Sequence, residues 1–204
     1  MMSVLPHALI WQRLDVTGAE HVTFDDRSGL VARGVAVAAD PVPYACRYDL
    51  MTDDSWATVR FEATVEGAGW LRSVRMERAA GRWRVTTAEQ GDLDAAVRAG
   101  RRAAPPPPGC EDPDELDLDV DLAGSPLTNT LPLRRLGLLG AAPGTSRTVT
   151  AAWVLLPSLA VVAESQSYTV LGPGRVRYTA GDFTADLHLD AGGYVTYYPG
   201  LAKR

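Results

Sequence analysis

The residues best placed to do chemistry fall in one stretch, Leu116 to Leu138, reading LDLDVDLAGSPLTNTLPLRRLGL. Asp117, Asp119 and Asp121 stand at i, i+2 and i+4, which on a strand lines one face at roughly 7 Å intervals. Three carboxylates so spaced could bind calcium, but no loop offering backbone carbonyls surrounds them. As acid–base groups they have no evident nucleophile to serve, so pairing with Arg134, Arg135 or another base is the default expectation. Asn129, Arg134 and Arg135 follow within a few residues of Gly124-Ser125-Pro126 and Pro132. Ser125 reads as a turn residue there, not as a nucleophile.

Elsewhere the chemistry is sparse. His7, His21 and His188 are scattered, and no HxxxH or CxxC spacing marks a zinc site. No GxSxG elbow, GxGxxG turn or P-loop occurs, so neither a metal nor a cofactor is expected. Cys46 and Cys110 read as two free thiols. Net charge is −5 with both signs interspersed, which argues against a nucleic-acid surface. No apolar run approaches the roughly 18 residues of a spanning helix. The start, MMSVLPHALIWQRLD, lacks a basic leader region, and the expected compartment is therefore the cytoplasm.

The elements that must position these groups are strands. Ala57, Val59, Phe61, Ala63 and Val65 alternate with Thr58, Arg60, Glu62, Thr64 and Glu66, the pattern of a sheet with one wet face. Tyr44 to Leu50, Ser73 to Glu77, Arg82 to Thr87, Thr148 to Leu156 and Phe183 to Asp190 behave alike. Gly34 inside one such strand predicts a bend or a close backbone approach. Asp92 to Arg102 could form a short amphipathic helix, and Pro105 to Pro108 forces extended chain, so residues 92–115 read as a surface excursion. The fold class expected is all-β with minor helix: an antiparallel open or split β-barrel of about a dozen strands, spanning residues 1–204 as one domain. A β-sandwich is the second choice.

Among the five tryptophans and seven tyrosines, Phe61, Trp83, Phe183 and Trp153 read as core packing. Trp11 with Glu20, Tyr48 beside Arg47, and Tyr168 near Gln166 instead combine apolar walls with polar heads, as a concave site for an amphipathic ligand would.

The block DLDVDLAGSPLTNTLPLRRLGL resembles the signature of the putative glycolipid-binding protein family, formerly a domain of unknown function. Trp11 with Gly18 and Glu20 fits the family's opening motif, and Tyr48 through Trp56 a strand–turn pattern. Gln166 and Tyr168 fit a later strand, and Tyr198-Pro199-Gly200-Leu201 the ending. The resemblance implies an open antiparallel barrel similar to bacterial lipoprotein and lipid carriers, which hold acyl chains in an apolar cavity. The chain departs from the family pattern at Asp92 to Glu115, where relatives reach the acidic strand more directly. The expected function is non-catalytic binding of a lipid or glycolipid-like molecule, its head meeting Glu20, Asp121, Asn129 and Arg134. The rivals are a hydrolase or isomerase with Asp119 or Asp121 as general base, and an interaction module using Pro105 to Pro108 or a sheet edge.

Overall fold

The computed structural model describes residues 7–204; the leader reading made on the first six residues falls outside them. Alternation of apolar and polar residues produces two meanders. The first comprises β1 (His7–Arg13), β2 (Gly18–Asp25), β3 (Val31–Ala38), β4 (Tyr44–Thr52), β5 (Thr58–Gly67), β6 (Trp70–Ala79) and β7 (Arg82–Gly91). The chain then passes through α1 (Leu93–Ala99), a 3-10 turn (Pro113–Glu115), β8 (Val120–Leu122) and α2 (Thr130–Arg135). The second meander comprises β9 (Ser146–Val154), β10 (Val161–Gly172), β11 (Arg175–Ala180), β12 (Phe183–Leu189), β13 (Val195–Tyr198) and β14 (Ala202–Lys203).

Pairing of β1 with β14 joins both meanders into one fourteen-stranded sheet, ordered β7 through β1, then β14 down to β8. All neighbours are antiparallel except β8 and β9. Fourteen strands stand where about a dozen were expected; β14, two residues long, is too short to show an alternation. The sheet does not close, so the architecture is an open all-β barrel with β7 and β8 as its ends.

One stretch of chain bridges those ends. Asp117 N–H donates to Thr150 O of β9 (3.1 Å), while Asp117 O accepts from Trp83 Nε1 of β7 (2.7 Å). Leu118 O accepts from Thr58 N of β5 (3.0 Å). The acidic alternation thus supplies a strap, not a five-residue strand face. Asp117 is exposed, Asp119 is buried, and only residues 120–122 join the ladder.

Residues 92–115 are largely exposed, yet anchored. Asp92 caps α1 by accepting from Ala95 N (2.7 Å), and Leu93 and Val97, one turn apart, enter the core. Arg72 replaces an apolar residue on the inward face of β6 because four partners await it. Its guanidinium donates to Glu89 and Asp94, and to the carbonyls of Pro106 and Ser158, tying helix, proline segment and the β9–β10 loop together.

The larger core cluster fills the concave side of β1–β6 around Trp11, Tyr48, Phe61 and Met76. A second cluster, around Tyr168, Tyr178, Leu187 and Tyr198, lies under β10–β13. Cys46 and Cys110 are both free thiols. Among the described residues, no helix is long and apolar enough to cross a membrane.

Candidate functional site

Leu122 to Arg135 lays a polar segment across the inside of the sheet. Ser125 N–H donates to Leu122 O (2.9 Å) to close a tight turn. Gly124 sits in that turn at φ 79°, and a Cβ there would lie 2.1 Å from Arg13 Nη1. Only glycine meets both demands. The chain then winds into α2, which was not expected from Thr128-Asn129-Thr130 and Pro132. Pro132 is tolerated because the first-turn N–H groups have no intrahelical partner. Thr130, Leu131, Pro132 and Leu133 are all buried, so packing holds the helix more than propensity does.

Two carboxyls flank this segment, Asp121 half-buried and Glu20 buried. Asp121 accepts from Thr128 Oγ1 at one oxygen (2.7 Å) and from Gln166 Nε2 at the other (2.7 Å). Gln166 Oε1 in turn accepts from Tyr168 O–H (3.2 Å), fixing the amide's orientation. No cation offsets the charge, and burial pushes the Asp121 pKa up to about 6. Glu20, on β2, accepts from Ser125 Oγ (2.6 Å) and from Tyr48 O–H at the same oxygen, Oε1. Its Oε2 is buried without a partner, and burial raises its pKa to about 7. Tyr48 reaches Glu20 because its ring lies over Gly34, its cross-strand neighbour, where a Cβ would come within 2.1 Å of it. Gly34 therefore marks a close approach, as its place in the strand predicted.

Asp119 differs from both. Arg135 grips it with two parallel hydrogen bonds (3.0 and 2.5 Å), the pairing expected by default. Burial still leaves its pKa raised.

A cavity of about 360 Å³ opens beside Asp121. Its floor is Asp121, Ser125 and Asn129, and its walls are Trp153, Tyr178, Phe183, Tyr198 and Leu201, with Glu164 at one side. Asn129 Oδ1 is buried with no hydrogen-bond donor among the described residues. Tyr178, Phe183 and Tyr198 form a triangle of rings with centroids 6.1–6.3 Å apart. Phe183 and Trp153, read from sequence as core packing, belong to this wall. Phe183 is 50% exposed and Trp153 half-buried, because the strand faces they occupy look onto the cavity.

Of the residues singled out in the sequence, the structure brings Asp121, Asn129, Gln166 and Tyr168 together, with Glu20 and Tyr48 joined to them through Ser125. The others lie apart. Trp11 is fully buried, and its indole N–H donates to Val195 O (2.7 Å) across the joint between the meanders. Arg47 sits on the outer surface, paired with Glu66. Arg134 stacks over Trp56 (4.4 Å) and donates to Asp26 (3.2 Å), which also accepts from Tyr194 O–H. Thr128, Ser125, Glu164 and the aromatic wall were missed. Tyr198, in the terminal motif, carried the one usable signal. Among the described residues, no group of three or more His, Cys, Asp or Glu is placed to hold a metal ion.

No curated protein matches the chain significantly. The crystal structure of a DUF1089 family protein from Pseudomonas aeruginosa is similar, with a TM-score of 0.67 and 27% identity, over 92% of this chain and 91% of that one. Residues 8–204 match the family model described as "Putative glycolipid-binding". The chain belongs to the putative glycolipid-binding family.

Proposed function

We propose that this protein binds a small amphipathic molecule of lipid or glycolipid type in the cavity beside Asp121. The carrying observation is the pairing of a carboxylate with an aromatic wall in one cavity. Asp121 makes no salt bridge among the described residues, while Trp153, Tyr178, Phe183 and Tyr198 offer apolar surface. Each methylene laid on the aromatic wall adds roughly 0.8 kcal/mol. A volume near 360 Å³ is at the small end for ligand pockets, and suits a head group with the first part of a chain. The family's description supports the same reading.

Native mass spectrometry of the protein with a lipid and glycolipid panel is the test. A bound mass that Trp153→Ala releases is the expected result. A clean apo mass across the whole panel, in wild type as well, overturns the reading.

One observation favours a second reading, catalysis on a hydrophobic substrate: Asp121, raised to about 6, is poised as a general base at the cavity floor. Turnover of an ester or an enolisable ketone, abolished in Asp121→Asn, would move the assignment to an enzyme.

A further inference from the structure

The cavity's polar groups are of one kind. Asp121 and Glu164 are carboxylates, and no Lys, Arg or His lines the space. The bases nearest in the chain are committed elsewhere. Arg13 packs on Gly124 but forks onto Asp15, Arg135 is spent on Asp119, and Arg134 lies against Trp56 and Asp26. Glu164 makes no salt bridge among the described residues. The expectation that the ligand's head meets Arg134 thus finds no counterpart at this cavity.

Resting on the reading of this cavity as the ligand site, we infer that the head group it takes is a protonated amine carried on an apolar chain. Two features converge on that chemistry. Two uncompensated carboxylates favour a positive charge and repel a phosphate or sulfate. Aromatic faces attract an ammonium through their quadrupoles while shielding it from water. The Tyr178 phenol senses both carboxylates, whose field adds to burial in raising its pKa, which places the negative charge beside the aromatic wall. A neutral sugar would leave two charges unanswered.

The experiment compares three probes with one short chain: hexylammonium, hexyl glucoside and hexyl sulfate, each titrated into the intact protein by calorimetry. Hexylammonium is expected to bind at least about tenfold more tightly than the glucoside, and the sulfate not measurably. Glu164→Gln, a half-exposed site whose change leaves the fold intact, is expected to weaken hexylammonium severalfold without affecting the glucoside. Adding Asp121→Asn is expected to bring the two probes level. Equal or tighter binding of glucoside or sulfate to wild type overturns the cationic head group while leaving the cavity reading standing. If no probe binds, and the panel of the preceding section yields no bound mass either, the cavity reading falls and this inference with it.

Discussion

Glu20 and Asp121 are two carboxyls reached by the same polar segment, the first buried and the second half-buried, and they have been put to opposite uses. Glu20 is sealed between Tyr48, Ser125 and the large core, with 1% of its surface exposed and one oxygen facing no donor. Asp121 has both oxygens hydrogen-bonded, yet it forms the floor of an open cavity. Ser125 touches both stations: its hydroxyl serves Glu20 while the residue also lines the cavity. The contrast separates a polar group that fixes the fold from one left available to a ligand. A raised pKa does not tell them apart; access to a cavity does.

Removing each carboxyl should expose that difference. Glu20→Ala is expected to cost about 3 kcal/mol in urea unfolding, since it leaves Tyr48 O–H and Ser125 Oγ without acceptor and opens a void. Asp121→Ala is expected to cost about 1 kcal/mol, because water in the cavity can reach the groups left behind. Equal losses would erase the distinction between a sealed and an open carboxyl.

The pH dependence sharpens the comparison. Burial raises both folded pKa values, Glu20 from 4.5 to about 7 and Asp121 from 3.8 to about 6. In that range the folded state holds protons the unfolded chain has released, so stability falls as pH rises. Carboxyls with lowered values, such as Asp25 at about 2, act at lower pH and leave this window clear. The urea midpoint is therefore expected to drop between about pH 4.5 and 7, and Glu20→Gln to flatten the upper part of the drop. A midpoint that climbs over the same range would contradict the assignment. At the small end, Arg47→Ala removes an exposed ion pair with Glu66 and should change stability by less than about 0.5 kcal/mol. It should leave hexylammonium affinity untouched; a loss would draw the outer surface into the site.

Legibility in the sequence followed the physics of each part. The half-buried strands were readable because period-two alternation is a direct image of a sheet with one wet face, and β3, β4 and β5 show it almost residue by residue. Gln166 and Tyr168 stood out as polar and aromatic together, and the fold delivers them to Asp121. Helix α2 was hidden because its six residues are held by burial, and its proline and threonines argue locally for a turn. Trp153 and Phe183 were misplaced because alternation says which residues share a face, not whether that face meets a packed core or a hollow. Arg47 and Tyr48 are adjacent in sequence, and for that very reason point to opposite sides of the sheet.

The joint between β1 and β14 bears on how the molecule comes to be built. Within each meander every strand meets a sequence neighbour, so those pairings close short loops. The joint pairs Gln12 with Lys203 and Arg13 with Ala202, from opposite ends of the described chain. Such a contact repays its loop-closure entropy only once both halves are formed, so it is expected to be the last to set. Until then β1 and β14 present raw edges to neighbouring chains, and crowding during refolding is where this protein should aggregate.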